Sequence, residues 1–355
     1  MTHLTNNEAP ADTLTATDGH RNPARVCAVV VTYNRLELLK AALAALRAQT
    51  RSLAAVVVVD NGCTDDTGRW LAAEVRQDST GVLQVITQAN LGNSGGVFTG
   101  MKTAFADGHD WFWVLDDDTV PSPSALEMLL AGAERFRAAH PETRLGWLNS
   151  VVLWSDGSLH RMNEPKLKPY LDWGPRFLTE RWLPAQWCSF VSVLFTREAV
   201  AECGLPLKDM FIWYDDVEYT ARIELRGFAG AVVPDSVVEH RTKLNYTPDV
   251  KDINAENFGR FRYAFRNEVL VLRTLLAGHP VALAIRSVRL LLRRTVLMVR
   301  ARKFRYIIPS LIHGIKGLTM RRKIEFPSAC ESDPAKPHDA MPANTTSATA
   351  HVPQA

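Results

Sequence analysis

The sequence predicts an α/β fold with a doubly wound, mostly parallel sheet and a basic helical extension on its C-terminal side. Apolar, β-branched runs recur along the first third of the chain, and continuous runs of this kind are typical of parallel strands buried on both faces. Segments with leucine and alanine at helical spacing separate these runs. This alternation favours a sheet with helices on both of its faces.

Four strands and three helices are predicted in alternation. The strands are expected at 26–32, 56–59, 82–87 and 111–115. Two helices are expected at 35–48 and 97–106, and a third runs from a cap within 64–67 towards Val75. Each strand is followed by small or polar residues. Because ligands bind outside the carboxyl ends of parallel strands, these residues should form a site along one edge. The first strand ends in Thr32, and Arg35 after it either begins a helix or meets a phosphate.

Beyond the fourth strand the alternation weakens. Helices are expected at 124–139 and 197–203, and strands at 145–154, 187–195, 231–233 and 236–238. Residues 164–184 are rich in proline, tryptophan and tyrosine without a steady period, which indicates a functional loop or lid. We divide the chain into a disordered tail (1–24), an α/β domain (25–264), a basic amphipathic helical region (265–326) and a second disordered tail (327–355).

Three consecutive carboxylates, Asp116, Asp117 and Asp118, follow the predicted strand 111–115. Adjacent like charges raise one another's pKa and are costly unless a cation joins them. Carboxylate oxygens at a strand end suit Mg²⁺ or Mn²⁺, which commonly bridges a phosphorylated substrate to one or two protein carboxylates. An acidic turn before a helix that begins near Ser122 explains the triplet equally well, so its neighbours must decide.

The other strand ends carry groups that suit a nucleotide. Asp60 can accept a hydrogen bond from the ring N–H of uracil, and Asn90 offers an amide. Gly92 and Gly95 permit close backbone approach to a ligand or a helix, and a glycine-rich turn that opens a helix also cradles phosphate. A flexible loop with a serine N-cap is the alternative interpretation of this turn.

A second acidic cluster, Asp215, Asp216 and Glu218, follows the aromatic segment 211–214. The macrodipole favours acids in the first turn of a helix, which explains one of them more easily than the set. His240 ends a later predicted strand. A single histidine is more often structural, but its position after a strand and a carboxylate cluster favours a metal ligand.

The net charge of +3 hides an asymmetry. Residues 265–326 contain 14 lysines and arginines against two acids, a charge of +12, which leaves 3 − 12 = −9 for the remainder. In a helical projection of 281–300, arginines share one face and apolar residues share the opposite face. The arginines are Arg286, Arg289, Arg293 and Arg300, and the apolar residues are Ile285, Val288, Leu291, Leu292, Met298 and Val299. Such a helix suits an anionic membrane surface, although its apolar face could instead dock on the α/β domain. Nucleic acid is a poorer candidate because no recognition motif accompanies the charge.

The composition also indicates a compartment. The five cysteines are scattered without a C-x-x-C pair, which argues against a disulfide framework or a structural zinc site and favours a reducing compartment. The N-terminus lacks the pattern of a secretory signal, and no apolar run approaches the ~20 residues needed to span a bilayer. The expected location is cytoplasmic, peripheral at the inner face of the cell membrane.

Together these motifs resemble the family-2 glycosyltransferases of the GT-A fold. The motifs are VVVTYNR, VVDNGCTDDT, ANLGNSGG, WVLDDDT and WYDDVEY, followed by His240, and they cover roughly residues 26–267. The resemblance implies inverting, metal-dependent transfer of a sugar from a nucleotide diphosphate. Within the family, the glycine-rich turn, the full triplet, WYDDVEY and FRYAFRN look most like bacterial galactofuranosyltransferases. This implies UDP-galactofuranose as donor and a glycan or lipid-linked acceptor in cell-envelope polysaccharide synthesis.

The resemblance and the strand-end argument together define the candidate site residues. The resemblance implies Asp216, or its neighbour Asp215, as the general base, and Mn²⁺ or Mg²⁺ as the cofactor. The metal ligands implied are Asp116, Asp118 and His240; the donor-binding candidates are Thr32, Arg35, Asp60, Asn90, Gly92, Gly95 and Asp117. For the acceptor, Trp182, Trp187 and Trp213 are candidates to stack on sugar faces, although core packing explains each of them equally well.

Three alternatives remain at this point. The related rhamnosyltransferases use dTDP-rhamnose and often carry an Asn-Pro-Asp type sequence in place of the triplet, which this chain lacks. A sugar nucleotidyltransferase would need a glycine-rich, basic triphosphate loop after the first strand, and TYNRLE is not one. A non-catalytic sugar-binding module is disfavoured because the candidate metal ligands and base are all present.

Overall fold

The computed structural model describes residues 24–169 and 177–328. In these residues, ten strands form a single sheet. The strands are β1 Val26–Thr32, β2 Ala55–Asp60, β3 Leu83–Thr87, β4 Trp111–Asp116, β5 Thr119–Pro121, β6 Arg144–Leu153, β7 Lys166–Leu167, β8 Leu183–Trp187, β9 Ser192–Thr196 and β10 Phe228–His240. The helices are α1 Leu36–Arg47, α2 Thr67–Gln77, α3 Gly92–Ala106, α4 Ala125–Ala139, α5 Phe177–Glu180, α6 Arg197–Cys203, α7 Asp215–Leu225, α8 Phe258–Leu275, α9 Pro280–Arg300 and α10 Ile307–Thr319.

The first half of the sheet is parallel, as the sequence predicts. Its order is β3-β2-β1-β4, with α1, α2 and α3 as the connections between consecutive strands. Thr32 lies opposite Asp60, and Val31 lies opposite Asp116. The strand ends that carry the candidate site residues therefore do meet at one edge of the sheet.

The second half of the sheet is mixed. β9 lies between β4 and β6 and runs antiparallel to both, whereas β6 and β10 are parallel. The single strand predicted at 187–195 is wrong, because β8 ends at Trp187 to pair with β10 while β9 begins at Ser192 to pair with β4. The two short strands predicted at 231–233 and 236–238 are one strand, β10, with a shift in register between Val233 and Val237.

Both faces of the sheet are buried, which explains why the strands read as continuous apolar runs. Alternate residues of one strand enter different cores: Ala28 and Val30 pack with α1 and α4, whereas Val29 and Val31 pack with α3. The neighbouring aromatics of β4 divide in the same way, with Trp113 in the first core and Phe112 in the second. Helices on each side thus hold the strand ends in fixed positions.

The C-terminal helices are continuous with the sheet domain. The boundary predicted between residues 264 and 265 falls inside α8, because that helix runs unbroken across it and buries Phe265 and Asn267. Of the predicted tails, 1–23 and 329–355 lie outside the described residues, as do residues 170–176 of the predicted lid. Among the described residues, no helix is both long enough and apolar enough to cross a membrane.

Helix α9 packs through one face and exposes another. Arg294 pairs with Glu268 of α8 at 2.9 Å, and Met298 is buried against Phe265. Leu291 approaches Gly314 of α10 so closely that a Cβ there would lie 2.4 Å from its Cδ2. Leu291 and Met298, which the projection places on the apolar face, therefore face protein.

Candidate active site

The pairing of β5 with β10 brings His240 to the acidic triplet. β4 ends at Asp116, and the chain soon continues as β5, which lies antiparallel to the end of β10. Thr119 lies opposite His240 in this pairing, and the backbone N–H of Arg241 donates to the carbonyl oxygen of Asp118 at 2.8 Å. Strand pairing thus assembles groups that are far apart in the sequence.

Asp116, Asp118 and His240 form a group that fits a divalent cation. One possible ligand atom from each lies within 4.8 Å of the others. His240 Nε2 is 3.0 Å from Asp118 Oδ1, but the atoms are not aligned for a hydrogen bond, so this buried oxygen lacks such a partner among the described residues. Two carboxylates and an imidazole are ligands that Mn²⁺ accepts, and a cation would satisfy that oxygen.

Asn163 sets the orientation and tautomer of His240. Its Nδ2 donates to Ser189 Oγ at 3.1 Å, and its Oδ1 lies 2.7 Å from His240 Nδ1. Since an amide oxygen can only accept, the neutral ring carries its proton on Nδ1 and leaves Nε2 with a lone pair towards Asp118. His160 packs on the same ring, with centroids 4.5 Å apart. Neither Asn163 nor His160 was predicted from the sequence, because each lies in a segment without a motif.

Burial and mutual repulsion raise the pKa values of Asp116 and Asp117, whereas the pKa of Asp118 is lowered because His240 and Arg35 outweigh its burial. Burial, together with the charge of Asp118, raises the pKa of Asp116 to about 7. Burial also raises the pKa of Asp117 to about 6, against the opposing charge of Arg35. Arg35 Nη1 lies 2.7 Å from Asp118 Oδ2 and 3.2 Å from Asp117 Oδ1, so its guanidinium offsets part of the negative charge. A divalent cation would favour the charged form of Asp116 and lower that pKa.

Asp117 is engaged by protein groups on both oxygens. Thr32 Oγ1 donates to Asp117 Oδ2 at 2.8 Å, and Arg35 contacts the other oxygen. Thr32 and Asp117 are both buried, whereas the Arg35 side chain is 44% exposed. Of Thr32, Asp117 and Arg35, Arg35 is thus the one that is open to a ligand.

The nucleotide-binding candidates lie at the ends of β2 and β3. Asp60 is buried, and its Oδ1 accepts from the backbone N–H of Cys63 at 2.8 Å, which closes the turn after β2. Asn90 is exposed, with Oδ1 accepting from the N–H of Gly92 at 2.9 Å. Asn61 links the two loops, because its Nδ2 donates to the carbonyl oxygen of Gly92 at 2.9 Å. Asn61 was missed, although its place directly after a strand-end aspartate could have marked it.

Packing accounts for the glycines of the turn. Gly92 has a positive φ of 73°, and a Cβ there would lie 2.1 Å from the carbonyl oxygen of Phe211. The first turn of α3 bonds to that oxygen, since the N–H of Ser94 donates to it at 3.2 Å. A Cβ on Gly95 would lie 2.4 Å from Leu91 Cβ. Gly92 thus lets the aromatic segment approach the donor loop, and Gly95 leaves room for Leu91, while the contact of both glycines with a donor stays a prediction.

The aromatic segment 211–214 has an unusual backbone. Phe211, Trp213 and Tyr214 have φ values of 67°, 65° and 66°, in the left-handed region that non-glycine residues avoid. Asn267 of α8, which is fully buried, holds this conformation by donating to three carbonyl oxygens, those of Met210 (2.8 Å), Ile212 (3.0 Å) and Trp213 (2.8 Å). Strain of this kind persists only where the surroundings enforce it, and such positions concentrate at functional sites.

The segment leads directly into the second acidic cluster. Asp215 and Asp216 begin α7; Asp215 is 3% exposed, whereas Asp216 is partly exposed. Burial, and then the charges of Asp215 and Asp116, raise the pKa of Asp216 to about 8. The two acidic clusters therefore act on each other electrostatically. Glu218 is different, because it is fully buried in an ion pair with Arg222 at 3.1 Å and serves the structure.

The three tryptophans have different surroundings. Trp182 is 8% exposed and packs on Phe136, with ring centroids 4.9 Å apart, which favours its core role. Trp187 ends β8, opposite Lys166 of β7. Trp213 lies in the aromatic segment and packs edge-on against Phe261 at 5.2 Å. Trp213 therefore lies two residues before Asp215, the first member of the second acidic cluster.

Comparison with known proteins identifies the family of this chain. The family model described as Glycosyl transferase family 2 matches residues 27–146. The galactofuranosyltransferase GlfT1 of Mycobacterium tuberculosis is 32% identical over 227 residues, which cover 61% of this chain and 69% of that protein. The N-acetylglucosaminyl-diphospho-decaprenol L-rhamnosyltransferase of the same species is 27% identical over 238 residues, which cover 60% of this chain and 74% of that protein.

Among solved structures, GalNAc-T7 with UDP, GalNAc and Mn²⁺ aligns with a TM-score of 0.51 at 16% sequence identity, covering 71% of this chain and 51% of that one. This likeness bears on the fold alone, and it confirms the predicted GT-A architecture. The sequence relatives leave no support for the nucleotidyltransferase or the non-catalytic module. The chain is an enzyme that belongs to glycosyltransferase family 2.

Proposed function

We propose that this enzyme transfers galactofuranose from UDP-galactofuranose, with inversion, onto a lipid-linked glycan during cell-envelope polysaccharide synthesis. The observation that carries the proposal is the Asp116, Asp118 and His240 group, with the partly exposed Asp216 near enough for the charge of Asp116 to raise its pKa. The similarity to a mycobacterial galactofuranosyltransferase supports the donor. Rhamnose from dTDP-rhamnose is the second candidate, because a rhamnosyltransferase is also among the relatives.

The residues divide the chemistry between them. Asp116, Asp118 and His240 would hold Mn²⁺ or Mg²⁺, which when bound supplies positive charge to the departing diphosphate. Asp216 takes the proton of the acceptor hydroxyl while that oxygen attacks the anomeric carbon. A pKa raised to about 8 makes Asp216 a stronger base than an ordinary aspartate. Arg35, which is partly exposed beside the triplet, is placed to contact the donor phosphates.

An assay with purified enzyme, a panel of nucleotide sugars and a lipid-linked acceptor tests this proposal. UDP-galactofuranose should be the preferred donor, EDTA should abolish transfer, and Mn²⁺ or Mg²⁺ should restore it. Asp118→Ala should lose donor binding and turnover together, whereas Asp107→Ala, which removes an exposed acid after α3, should behave as the parent. Full activity in chelator would refute the metal, and preference for dTDP-rhamnose would refute the donor.

We also propose that the enzyme binds the cytoplasmic face of an anionic membrane through α9 and α10. Both helices expose apolar stripes; Leu292 is 60% exposed and Ile308 is 70% exposed. The other members are Val281, Ile285, Val288, Val296 and Val299 on α9, with Ile312 and Ile315 on α10. Exposed arginines border the stripe on α9, which is the pattern of a helix lying in a membrane interface.

Vesicle co-sedimentation tests the membrane proposal. Replacing Arg289, Arg293 and Arg300 by Gln removes three charges worth about 1 kcal/mol each near an anionic surface, so binding to phosphatidylglycerol vesicles should weaken roughly 10²-fold at low salt. The matched control replaces Arg76 and Arg226, two exposed arginines of the sheet domain, and should bind as the parent. Equal binding by both variants would show that the arginine face does not meet the membrane.

A further inference from the structure

A basic cavity lies between α8 and α10, away from the acidic triplet. Its volume is about 240 Å³, and its lining is Arg262, Tyr263, Arg266, His313 and Lys316. A water molecule occupies about 30 Å³ of liquid, so the space holds several waters or an anion the size of a phosphate or diphosphate. The lining side chains include three permanent cations, a histidine and a phenol, and no carboxylate.

These positive charges are only partly compensated, because the carboxylate of Asp209 lies near enough to act on Arg266 alone. Within the described residues, neither Arg262 nor Lys316 forms an ion pair, and both are exposed. Arg266 is held by neutral acceptors, since it donates to the carbonyl oxygens of Asp209 at 2.7 Å and Met210 at 2.9 Å. Burial, then the charges of Lys316, Arg262 and Arg266, lower the pKa of His313. Like charges that converge on a cavity are stabilised when an anion binds between them.

The cavity lies between the proposed membrane surface and the catalytic segment. On α10, His313 and Lys316 directly follow the exposed Ile312 and Ile315 in sequence. On the other side, the ring of Tyr263 stacks on Phe211, with centroids 4.6 Å apart and planes inclined by 17°. Phe211 begins the aromatic segment that leads into the candidate base. An anion in the cavity would therefore lie at the depth of the lipid headgroups, with the ring of Tyr263 between it and the aromatic segment.

We propose that this cavity binds the phosphate or diphosphate of the lipid that carries the acceptor glycan. The proposal rests on the proposed function, because it assumes a lipid-linked acceptor. Guanidinium groups match phosphate oxygens in paired hydrogen bonds, and lysine adds a mobile charge. The adjacent apolar stripe suits the lipid chain, which a free phosphate or a nucleotide lacks. The rhamnosyltransferase relative, named for a diphospho-decaprenol acceptor, shows that lipids of this class occur among similar proteins.

Binding of farnesyl diphosphate, a short lipid diphosphate, tests the cavity directly. The variant R262Q/K316Q removes two exposed charges without touching Arg266, which also holds the aromatic segment. We expect at least a 10-fold rise in the Kd for farnesyl diphosphate, while the Kd for UDP with Mn²⁺ stays that of the parent. The control R76Q/R226Q should change neither constant. An unchanged Kd for farnesyl diphosphate in R262Q/K316Q would overturn the proposal.

Two further arms distinguish the possible sources of the phosphate. Inorganic pyrophosphate should bind at least 10-fold more weakly than farnesyl diphosphate; equal affinity would overturn the lipid assignment in favour of a free anion. An excess of short-chain phosphatidylglycerol should not displace farnesyl diphosphate from the parent enzyme; displacement would assign the cavity to bulk lipid instead. These measurements require no sugar transfer, so their outcome is separate from that of the donor and metal assay.

Discussion

Replacing Asn267 by Ala should disable the enzyme from a distance, by releasing the backbone that presents Asp215 and Asp216. The Asn267 side chain lies on α8, is fully buried, and donates to three carbonyl oxygens of residues 210–213 at 2.8–3.0 Å. It belongs to a helix beyond the acidic clusters, so any effect on turnover has to pass through the aromatic segment.

The expected magnitude follows from these contacts. One amide NH₂ carries two hydrogens, so its loss leaves the equivalent of two buried hydrogen bonds unmade, at about 1–3 kcal/mol each. Phe211, Trp213 and Tyr214 also hold left-handed conformations that cost roughly 1–2 kcal/mol apiece, so relaxation of one of them would offset that much of the loss. We therefore expect a loss of about 1–4 kcal/mol in the free energy of unfolding. Displacement of the segment by about 1 Å should lower kcat on the order of 10²-fold.

Urea unfolding measures the first effect, and steady-state kinetics at a temperature where the variant is folded measures the second. Val271→Ala is the matched control, since Val271 is also buried on α8 and its truncation costs roughly 1.5–2 kcal/mol without touching the segment. The control should lose stability and keep its kcat. If Asn267→Ala loses stability but turns over as the control does, the segment holds its own conformation and the reasoning is wrong.

Three other predictions concern the acidic clusters. Asp216→Asn should lower kcat by about 10²–10⁴-fold and leave the affinity for UDP and Mn²⁺ near that of the parent. Asp215→Asn should lower kcat less. If a kinetic assay shows the larger loss of kcat in Asp215→Asn, the roles of the two residues are exchanged. Asn163→Leu should weaken Mn²⁺ binding, measured by electron paramagnetic resonance, by about 10–100-fold because it frees the His240 ring. Asn163→Asp, which keeps an acceptor for that ring, should lose less affinity than Asn163→Leu, and equal losses would contradict the role given to this acceptor. The pKa values of Asp116 and Asp216, raised to about 7 and about 8, mean that the metal-free fold binds more protons than the unfolded chain. The contribution of these two groups to the free energy of unfolding is therefore fully present below the ordinary pKa of aspartate, and it is lost as pH rises through about 7 to 8. Added Mn²⁺ should raise the melting temperature more at the upper end of that range than at about pH 6, and a pH-independent increase would contradict this.

The sequence by itself determined the parallel half of the sheet and the position of the acidic triplet. This succeeded because apolar runs buried on both faces read as strands, and because parallel strands must bring their carboxyl ends to one edge. Thr32, Asp60 and Asp116 could therefore be placed together before their neighbours in the sheet were known.

Only the tertiary structure decided which groups complete the site and which faces stay exposed. The partners of His240 and of the aromatic segment, Asn163 and Asn267, come from distant parts of the chain, and a lone asparagine carries no local pattern. On α9, helical periodicity shows that apolar residues share a side, but Leu291 and Ile285 look alike until α10 covers one and leaves the other exposed. Local periodicity determines the type of an element, whereas its partners depend on contacts between residues far apart in sequence.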